Sequence, residues 1–306
     1  MELGLLTATA PSDDVETVAR RASNVGFDSL ELAAWPVEEQ STEQADTVFD
    51  PKKAASDEAY AESVVDTVGA HGLSISALAY YPNNLHPNEA VRAENHDHLK
   101  RVIQAASNMD LDLVGTFVGR DPSMPLDDAV DEAKRVWPEL IEFAESHDVS
   151  VMIENCPMDH YGAYGTNLFY SPETWATLFT AIDSDYFGLN YDPSHMYWLG
   201  MDHIEPLERF SDRIFHAHAK DTQIHKSRRD EIGILADRSI TDDHWWSYRI
   251  PGLGEIDWPE YIRTLYDIGF DGTLAIEHED PTFEGSDEMF WKGAEIGYAE
   301  LEPYVR

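Results

Sequence analysis

The sequence contains one cysteine, Cys156, among its 306 residues. A single thiol excludes an intrachain disulfide and agrees with a reducing compartment. Cys156 ends the strand-like segment VMIENC (151–156), where a small buried thiol is expected. No neighbouring residue marks a base dedicated to this thiol, so we assign Cys156 no nucleophilic role.

Long hydrophobic stretches are also missing. The chain has no run of about 18 apolar residues, the length expected of a membrane-spanning helix. The N-terminal MELGLL enters a strand-like stretch directly, without the charged, apolar and cleavage regions of a signal peptide. We therefore expect a cytoplasmic protein with no membrane partner.

Basic residues are scarce: 21 Lys and Arg stand against 59 Asp and Glu, and the formal net charge is -38. The acidic residues are spread along the chain, so the charge belongs to the whole surface. Such a surface repels itself unless salt screens it, over a Debye length of about 3 Å at roughly 1 M. We interpret the charge as a halophilic adaptation to a salty cytoplasm; recruitment of cationic partners would need a localised patch. Nucleic acid, which is also anionic, is not expected as a partner.

Apolar segments of strand length alternate with amphipathic segments of helix length, with no Pro/Gly/Ser linker and no low-complexity stretch. Eight strands are predicted: Glu2–Thr9, Ser29–Trp35, Ser74–Tyr80, Leu113–Val118, Ser150–Cys156, Phe187–Asp192, Ile214–Ala219 and Thr273–Glu277. The helical patterns cover Asp13–Asn24, Glu58–His71, Glu89–Asn108, Leu126–His147, Pro172–Ile182, Ile204–Phe210 and Trp258–Ile268.

Eight β/α units in about 300 residues are typical of a (β/α)8 TIM barrel, and we predict a single α/β domain of this kind over residues 1–306. An open doubly wound sheet is the alternative. That fold often carries a glycine-rich phosphate loop after its first strand, whereas residues 7–11 (TATAP) contain no glycine.

The longest segment without a clear pattern runs from Thr222 to about Trp258, after the seventh strand. Loops that follow barrel strands lie over the active-site face, and long loops often act as lids or binding loops. We expect a substrate-covering lid; a solvated insertion is the alternative. The segment combines cations and aromatic residues, which is unusual in so acidic a chain: Lys226, Arg228, Arg229, His244, Trp245, Trp246 and Arg249.

Four segments run from a hydrophobic stretch into a carboxylate or an imidazole: VMIENCP (151–157), GLNYDPSHMYW (188–198), RIFHAHAKD (213–221) and GTLAIEHED (272–280). The carboxyl ends of barrel strands meet at one face, so four side chains are expected to converge: Glu154, Asp192, His218 and Glu277. Burying these groups without a cation would be costly. Three carboxylates and one imidazole form a hard, oxygen-rich site that suits Mn²⁺, Mg²⁺ or Co²⁺.

The segments IENCP, NYDPSH, FHAHAKD and LAIEHED resemble the signatures of the xylose isomerase-like TIM barrels, the sugar isomerase/epimerase superfamily. That superfamily includes ketose 3-epimerases, inosose dehydratases and, more distantly, endonuclease IV. The resemblance implies that the four converging residues bind one divalent cation, foremost Mn²⁺, with Mg²⁺, Co²⁺ or Zn²⁺ as alternatives. It also implies that Glu154 and Glu277 form an acid/base pair, that His195 contacts the substrate, and that the chain forms a homodimer or homotetramer.

Two positions depart from the epimerase pattern. Ile224 stands where an arginine is expected, six residues beyond the metal-binding histidine, and His160 stands where an acid is expected, six residues beyond the first glutamate. These departures weigh against simple ketohexose epimerisation. The LAIEHED ending is closer to the sugar phosphate isomerase/epimerase branch.

Further side chains are candidates for substrate binding. Lys220 and His195 are placed to hydrogen-bond an oxyanion or a hydroxyl, although pairing of Lys220 with a neighbouring carboxylate is the alternative. Side chains alternate along a strand, so His216 shares a face with His218. We expect His216 to support the site or contact the substrate rather than to bind the metal.

Trp35, with Tyr80 and Tyr81, is expected to form an aromatic wall that stacks on a sugar; core packing is the alternative for Trp35. A phosphate on the substrate would need cations at the mouth of the barrel. Six are candidates: Arg120, Lys220, Lys226, Arg228, Arg229 and Arg249.

We therefore predict a divalent-metal-dependent isomerase or epimerase that acts on a keto-sugar or a related polyol derivative. One glutamate removes the proton next to the carbonyl, and the other returns a proton to the enediolate. The same enediolate can expel a β-hydroxyl, so a keto-sugar or keto-inositol dehydratase is the first alternative. An endonuclease IV-type phosphodiesterase would need further metal ligands, for which Glu31 and His86 are the nearby candidates. A non-catalytic sugar-binding barrel would not need both glutamates.

Overall fold

The computed structural model describes residues 1–10, 14–37, 47–158, 165–234 and 244–305. Eight parallel strands close into a barrel, and two further strands form an antiparallel hairpin. The barrel consists of β1 Glu2–Leu6, β2 Ser29–Ala33, β3 Ser74–Ala79, β4 Leu113–Thr116, β5 Ser150–Glu154, β6 Phe187–Tyr191, β7 Ile214–Ala219 and β10 Thr273–Ile276. The hairpin consists of β8 Asp221–Ile224 and β9 Trp246–Arg249. The predicted (β/α)8 barrel is confirmed.

All eight predicted barrel strands are present, and β7 has the predicted bounds. The other strands end one to three residues earlier than predicted, because their last residues already leave the sheet to begin the following loop. After β1, for example, Thr7–Thr9 form a 3-10 turn. Pairing of Leu3 with Leu274 and of Leu5 with Ile276 joins β1 to β10 and closes the barrel.

Alternation along the strands separates an apolar outer face from a polar inner one. Outward-facing residues of β2, β5 and β10 belong to the main hydrophobic core: Leu30, Leu32, Val151, Ile153, Leu274 and Ile276. Between them in sequence, Glu31 and Met152 are buried inside the barrel. The outer face therefore holds the helices, and the inner face is left for polar chemistry.

Two register shifts interrupt the regular pairing of the barrel. One falls between Leu30 and Glu31 where β2 pairs with β3, and the other falls between Leu189 and Asn190 where β6 pairs with β7. Irregularities of this kind redirect the side chains next to them. Both shifts directly precede a buried polar residue that points into the barrel, Glu31 or Asn190.

The helices surround the barrel. Their bounds are α1 Val15–Val25, α2 Pro51–Ser56, α3 Glu58–Gly69, α4 Glu89–Asn108, α5 Leu126–Glu145, α6 Pro172–Ala181, α7 Pro193–Trp198, α8 Glu205–Arg209, α9 Lys226–Ile232, α10 Trp258–Asp267 and α11 Asp287–Val305. All seven predicted helices are present with ends shifted by one or two residues at most; the predicted start at Asp13 lies outside the described residues. Within the described ranges, no helix is long and apolar enough to cross a membrane.

The long C-terminal helix α11 was not predicted, because two glycines lower its helix propensity. The structure shows why glycine suits these positions. A side chain at Gly293 would collide with the imidazole of His278, and one at Gly297 would come within 3.0 Å of Ile276. The glycines therefore let α11 pack closely against the end of β10.

The segment predicted as an irregular lid, from Thr222 to about Trp258, contains regular structure. Its described residues include most of β8, all of β9 and the helix α9. Asp221 pairs with Arg249, and Ile224 pairs with Trp246, so the hairpin brings together residues more than 20 positions apart. Trp245 and Trp246 pack against Trp198 of α7 in a small separate hydrophobic cluster.

Candidate metal centre and active site

Four buried side chains meet at the carboxyl end of the barrel. Glu154 ends β5 and His218 lies in β7, while Asp192 and Glu277 directly follow β6 and β10. Each contributes one potential ligand atom, and these four atoms all lie within 4.8 Å of one another. The most exposed of the four, Glu277, is only 9% exposed. The structure thus brings the four predicted metal ligands together, and their role as ligands stays a prediction.

The local sequence holds Asp192 in place before any ligand binds. Its Oδ1 accepts a hydrogen bond from the backbone N–H of Ser194 at 2.7 Å, as the N-cap of α7. Asn155 accepts from the backbone N–H of Asp192 and donates to its carbonyl, at 2.7 and 2.8 Å. These contacts leave Oδ2 of Asp192 directed at the cluster.

Atoms without hydrogen-bond partners test whether the cluster suits a cation. Within the described residues, Oδ2 of Asp192, Nδ1 of His218 and Oε2 of Glu277 are buried and make no hydrogen bond of good geometry. They do have charged neighbours, because Nδ1 of His218 lies 2.9 Å from Oε2 of Glu277 and Nζ of Lys220 lies within 3.3 Å of both carboxylate oxygens. Buried polar atoms are rarely left this way unless an ion or ligand completes them. Three carboxylates and an imidazole are suitable donors for Mn²⁺, Mg²⁺, Co²⁺ or Zn²⁺. The residues present therefore fit a divalent cation.

Lys220 brings an ammonium group to the same carboxylates. Its Nζ lies 2.8 Å from Oε2 of Glu277, 3.3 Å from Oδ2 of Asp192 and 3.2 Å from Oε2 of Glu279. Lys220 thus pairs with neighbouring carboxylates, which was the alternative to a contact with the substrate. One ammonium does not balance the buried carboxylates around it, which favours further positive charge at this point.

The charge states of the cluster reflect burial and direct contacts acting in opposite directions. Burial lowers the pKa of His218, but the carboxylates of Glu31 and Glu277 outweigh it and raise that pKa well above its usual value. Burial raises the pKa of Glu154, but the hydrogen bond from His195 and the nearby imidazole of His218 bring it well below its usual value. Glu154 thus stays ionised and requires cationic partners, which protons on the histidines or a bound metal can provide.

Glu31 supports the cluster, whereas the sequence makes it a candidate only as a further metal ligand of a phosphodiesterase. It is fully buried, its Oε2 lies 2.8 Å from Nε2 of His218, and its Oε1 accepts from the hydroxyl of Tyr81 at 2.8 Å. The sequence held one signal, since Glu31 is the lone carboxylate in an apolar strand, SLELA (29–33). Its partner His218 lies 187 residues away.

His216 lies deeper in the barrel than the ligand cluster. Its Nδ1 is 3.1 Å from Oδ1 of Asn190, and its Nε2 is 3.3 Å from Oγ of Ser76. Burial lowers the pKa of His216 to about 4, so the imidazole is neutral. Both predicted roles of His216, support of the site and contact with a substrate, stay predictions.

His195 links the cluster to the hairpin. Its Nε2 lies 3.0 Å from Oε1 of Glu154 and 3.2 Å from Oδ2 of Asp192. On the other side of the ring, Nδ1 lies 3.0 Å from the hydroxyl of Tyr248 in β9. The Tyr248 ring also faces Nζ of Lys220 at 4.5 Å. Tyr248 was not predicted, and it places the hairpin directly over the site.

The rings of the predicted aromatic wall lie close together after β2 and β3, and Trp35 also packs against the main core. The ring of Trp35, which is half-buried, lies 5.7 Å from that of Tyr80 and 6.1 Å from that of Tyr81. Tyr81 in turn packs against Phe117 at 4.9 Å. Stacking of Trp35 on a substrate stays a prediction.

Most of the predicted phosphate-binding cations have protein partners. Arg249 donates to Oε1 of Gln223 at 2.9 and 3.0 Å and to Oδ1 of Asp280 at 3.2 Å, so its guanidinium braces the hairpin. Arg228 pairs with Glu231 at 2.9 Å. The predicted substrate contact of Arg249 stays a prediction.

Three other residues from the sequence analysis remain: the single cysteine, the possible further metal ligand His86, and His160. Cys156 is buried, and burial raises the pKa of its thiol to about 11. His86 accepts a hydrogen bond from the backbone N–H of Asn88, and its side chain does not belong to the ligand cluster. His160 lies outside the described residues.

Comparisons with known proteins agree with this fold. A family model described as "Xylose isomerase-like TIM barrel" matches residues 19–297. The uncharacterized protein YfiH of Bacillus subtilis (strain 168) is 31% identical over 157 residues, which are 50% of this chain and 47% of YfiH. Inosose dehydratase of Lacticaseibacillus casei is 31% identical over 108 residues, 34% of this chain and 35% of the dehydratase. The matches thus span less than half the length of either relative.

Two solved structures illustrate the structural likeness. D-psicose 3-epimerase from Clostridium cellulolyticum H10, solved with D-tagatose, has a TM-score of 0.70 at 15% identity, with 100% of both chains covered. The IOLI protein, solved with a bound zinc atom, has a TM-score of 0.71 at 18% identity, covering 100% of this chain and 99% of that one. At such identities the likeness shows a shared fold.

Proposed function

We propose that this chain, which belongs to the xylose isomerase-like TIM barrel family, is a divalent-metal-dependent isomerase or epimerase of a keto-sugar or a related polyol derivative. One observation carries the proposal: carboxylate oxygens of Glu154 and Glu277 reach the same buried cluster, within 4.8 Å of each other. Moving a proton between carbons, or between the faces of one carbon, requires a base and an acid at the reacting centre.

We assign the four-residue cluster to one divalent cation, foremost Mn²⁺. When bound, such a cation polarises the substrate carbonyl and so acidifies the proton on the neighbouring carbon. Zinc is present in the IOLI structure, and Zn²⁺ therefore stands beside Mg²⁺ and Co²⁺ as an alternative.

Glu154 is well placed to act as the base. The contact between its Oε1 and Nε2 of His195, at 3.0 Å, orients the carboxylate. Because the contacts from His195 and His218 hold the pKa of Glu154 well below its usual value, the group is ionised near neutral pH. Glu154 takes the proton next to the carbonyl, and the electrons of the broken C–H bond form the enediolate.

Glu277 completes the reaction as the acid. In this role Glu277 carries a proton before turnover and gives it to the enediolate. Delivery to the opposite face of the same carbon epimerises the sugar. Delivery to the former carbonyl carbon, with the hydroxyl proton of the enediolate passing to the neighbouring oxygen, isomerises it, and exchange with water then returns both glutamates to their starting states. Lys220, 2.8 Å from Oε2 of Glu277, is placed to hydrogen-bond the oxygen that becomes negative. The hairpin residue Tyr248 covers His195 and Lys220, in keeping with a lid over the bound substrate.

A keto-inositol or keto-sugar dehydratase is the second candidate. The local identity with the inosose dehydratase of Lacticaseibacillus casei favours it. The first step would be the same proton removal by a glutamate, after which the enediolate expels the β-hydroxyl and Glu277 protonates it as water. The two candidates differ in product mass, because only the dehydratase loses water.

The metal-loaded protein, incubated in D₂O with keto-sugars, keto-inositols and their phosphates, tests the proposal. We expect deuterium at the carbon next to the carbonyl, seen by NMR and mass spectrometry. Glu154→Gln and Glu277→Gln should each abolish this exchange, whereas Glu173→Gln, an exposed glutamate of α6, should leave it unchanged. Exchange that persists in both site variants would contradict the assignment of the acid/base pair.

A further inference from the structure

A cavity of about 410 Å³ lies next to the ligand cluster. Its volume falls within the range of small-molecule sites, about 300–1,000 Å³. Tyr81 joins the two features, because its ring lines the cavity and its hydroxyl donates to Glu31, the partner of His218. Met158 also lines the cavity, four residues beyond Glu154. The cavity is therefore placed to hold the part of a substrate that does not react.

The walls of this cavity are mainly apolar. Rings and aliphatic groups line it: Tyr81, Pro82, Pro87, Phe117, Pro122 and Met158. Flat apolar surfaces of this kind pack against the C–H faces of a ring or chain.

Besides Tyr81, the polar lining comprises Asn83, His86, Asn95 and Thr166, and the two asparagines have protein partners. Asn83 accepts from the backbone N–H groups of Leu85 and Arg120, at 3.1 and 2.9 Å, and donates to the carbonyl of Arg120 at 2.8 Å. Asn95 donates to the carbonyl of Asn83 at 2.9 Å. Two of the polar lining residues thus stabilise the backbone of their own loops.

No Lys or Arg occurs among the described residues that line this cavity. The cations considered for phosphate binding lie elsewhere: Lys220 contacts the carboxylates, and Arg249 contacts Asp280. Arg120 is buried, and its Nη2 donates to the carbonyl of Met124 at 3.3 Å. Proteins bind phosphate groups with Arg, Lys or His side chains or with several backbone N–H groups. The imidazole among the described lining residues, His86, already accepts a hydrogen bond at Nδ1 from the backbone N–H of Asn88 at 3.1 Å. A phosphate in this mainly apolar cavity would therefore be poorly compensated.

We infer that the cavity binds the non-reacting end of the substrate and that this end is uncharged: the hydroxylated chain or ring of a neutral polyol, not a phosphate ester. The inference rests on the proposed function, which places the reacting carbonyl at the ligand cluster. The substrate class inferred for this site is therefore a neutral keto-sugar or keto-cyclitol, and its phosphorylated counterpart should bind more weakly.

Occupancy of the cavity can be measured without turnover. In protein labelled with ¹³C at the methionine methyl groups, the Met158 signal, assigned with Met158→Leu, reports on ligands in the cavity. The probes are D-fructose, D-tagatose and myo-inositol, compared with D-fructose 6-phosphate, D-tagatose 6-phosphate and inorganic phosphate. Titrations in about 1 M KCl keep the general surface charge from deciding the outcome, because the Debye length is then about 3 Å.

The inference predicts that at least one neutral probe shifts the Met158 signal, and that phosphorylated probes bind at least about tenfold more weakly. Thr166→Lys, which puts an ammonium group into the lining, should reverse this preference. Thr177→Lys, the same change in charge on the exposed face of α6, should not. Equal or tighter binding of a phosphate ester by the unaltered protein, or no shift with any neutral probe, would overturn the inference.

The two proposals fail in different ways. A Met158 shift by neutral probes without carbon-bound deuterium exchange would count against the proposed function while leaving the cavity assignment in place. Exchange confined to phosphorylated substrates would leave the proposed function standing and overturn the assignment of the cavity.

Discussion

Nε2 of His218 lies 2.8 Å from Oε2 of Glu31, while Nδ1 of the same imidazole faces Oε2 of Glu277 at 2.9 Å. A carboxylate bonded to one nitrogen of a histidine fixes the orientation of the ring and the tautomer that offers the other nitrogen to a metal. Glu31 therefore contacts the candidate metal centre through His218, and the cluster extends from the four converging residues into the interior of the barrel.

Replacing Glu31 tests this relationship. We expect Glu31→Gln to weaken Mn²⁺ binding by about 10–100-fold, because the neutral amide no longer orients and polarises the imidazole. Isothermal titration with Mn²⁺ measures the affinity directly. Tyr81→Phe, which removes one hydrogen bond from Glu31 and keeps its charge, should have a smaller effect. An unchanged affinity in Glu31→Gln would show that Glu31 only fills space.

Tyr248 is expected to position His195. Tyr248→Phe removes the hydroxyl that lies 3.0 Å from Nδ1 of His195 and keeps the ring that faces Lys220. The loss of one hydrogen bond, worth about 1 kcal/mol, should slow deuterium exchange roughly fivefold. Mn²⁺ affinity should stay the same, because the hydroxyl that is removed bonds His195, which is not one of the four converging residues. A fall in Mn²⁺ affinity equal to the fall in rate would instead indicate a general disturbance of the site.

Asp221 should be important for stability, because its buried carboxylate organises the chain after the hairpin. Six N–H groups donate to it: the backbone N–H of Thr222, Gly252, Gly254, Glu255 and Ile256 and the indole N–H of Trp258. Asp221→Ala leaves these donors unpaired and should lower the free energy of unfolding by at least about 3 kcal/mol. Urea denaturation measures the change. Asp267→Ala, at an exposed position of α10, should change it by less than about 0.5 kcal/mol.

His98 should make the protein sensitive to mild acid. It is 3% exposed, its Nε2 lies 2.7 Å from the carbonyl of Ala34, and burial lowers its pKa. Below the ordinary histidine pKa of about 6.5, the unfolded chain takes up a proton that the folded chain does not, so stability falls as the pH falls.

Comparison with His98→Gln isolates this contribution. Between pH 6.5 and 5, the free energy of unfolding should fall less steeply in the variant than in the unaltered protein, and the two slopes should differ by up to about 1.4 kcal/mol per pH unit. Above pH 7.5 the difference in free energy of unfolding between the two proteins should be constant. Urea midpoints across this range provide the measurement. Parallel stability curves for both proteins over the whole range would refute the role of His98.

Much of the fold was predictable because its signals are local. Each barrel strand is a short apolar run, and polar residues at the strand ends mark the face where parallel strands converge. Glu154, Asp192, His218 and Glu277 could therefore be grouped from sequence, although none is near another along the chain. The helix α11 was missed because Gly293 and Gly297 resemble helix-breaking residues until their packing against β10 is known.

The supporting residues were harder to predict because their signals are not local. Glu31 belongs to the site because it contacts His218, which lies 187 residues away, and Tyr248 belongs to it because it contacts His195. Neither contact can be predicted from the local sequence. The hairpin pairs Asp221 with Arg249 across an intervening helix, so no short turn marks it in the sequence. The contact of the Arg249 guanidinium with Asp280 spans 31 positions and could not be predicted from the sequence either.

The most direct test of the account is the number of divalent cations bound per chain. Metal analysis after dialysis against Mn²⁺, followed by titration of the metal-free protein, should give one high-affinity cation per chain. Asp192→Asn and His218→Gln should each reduce that affinity by at least about 100-fold, while Glu173→Gln leaves it unchanged. Two results would contradict the assignment of this cluster as a metal centre. One is the absence of a bound cation at millimolar Mn²⁺. The other is an affinity for Mn²⁺ in Asp192→Asn and His218→Gln that equals the affinity of the unaltered protein.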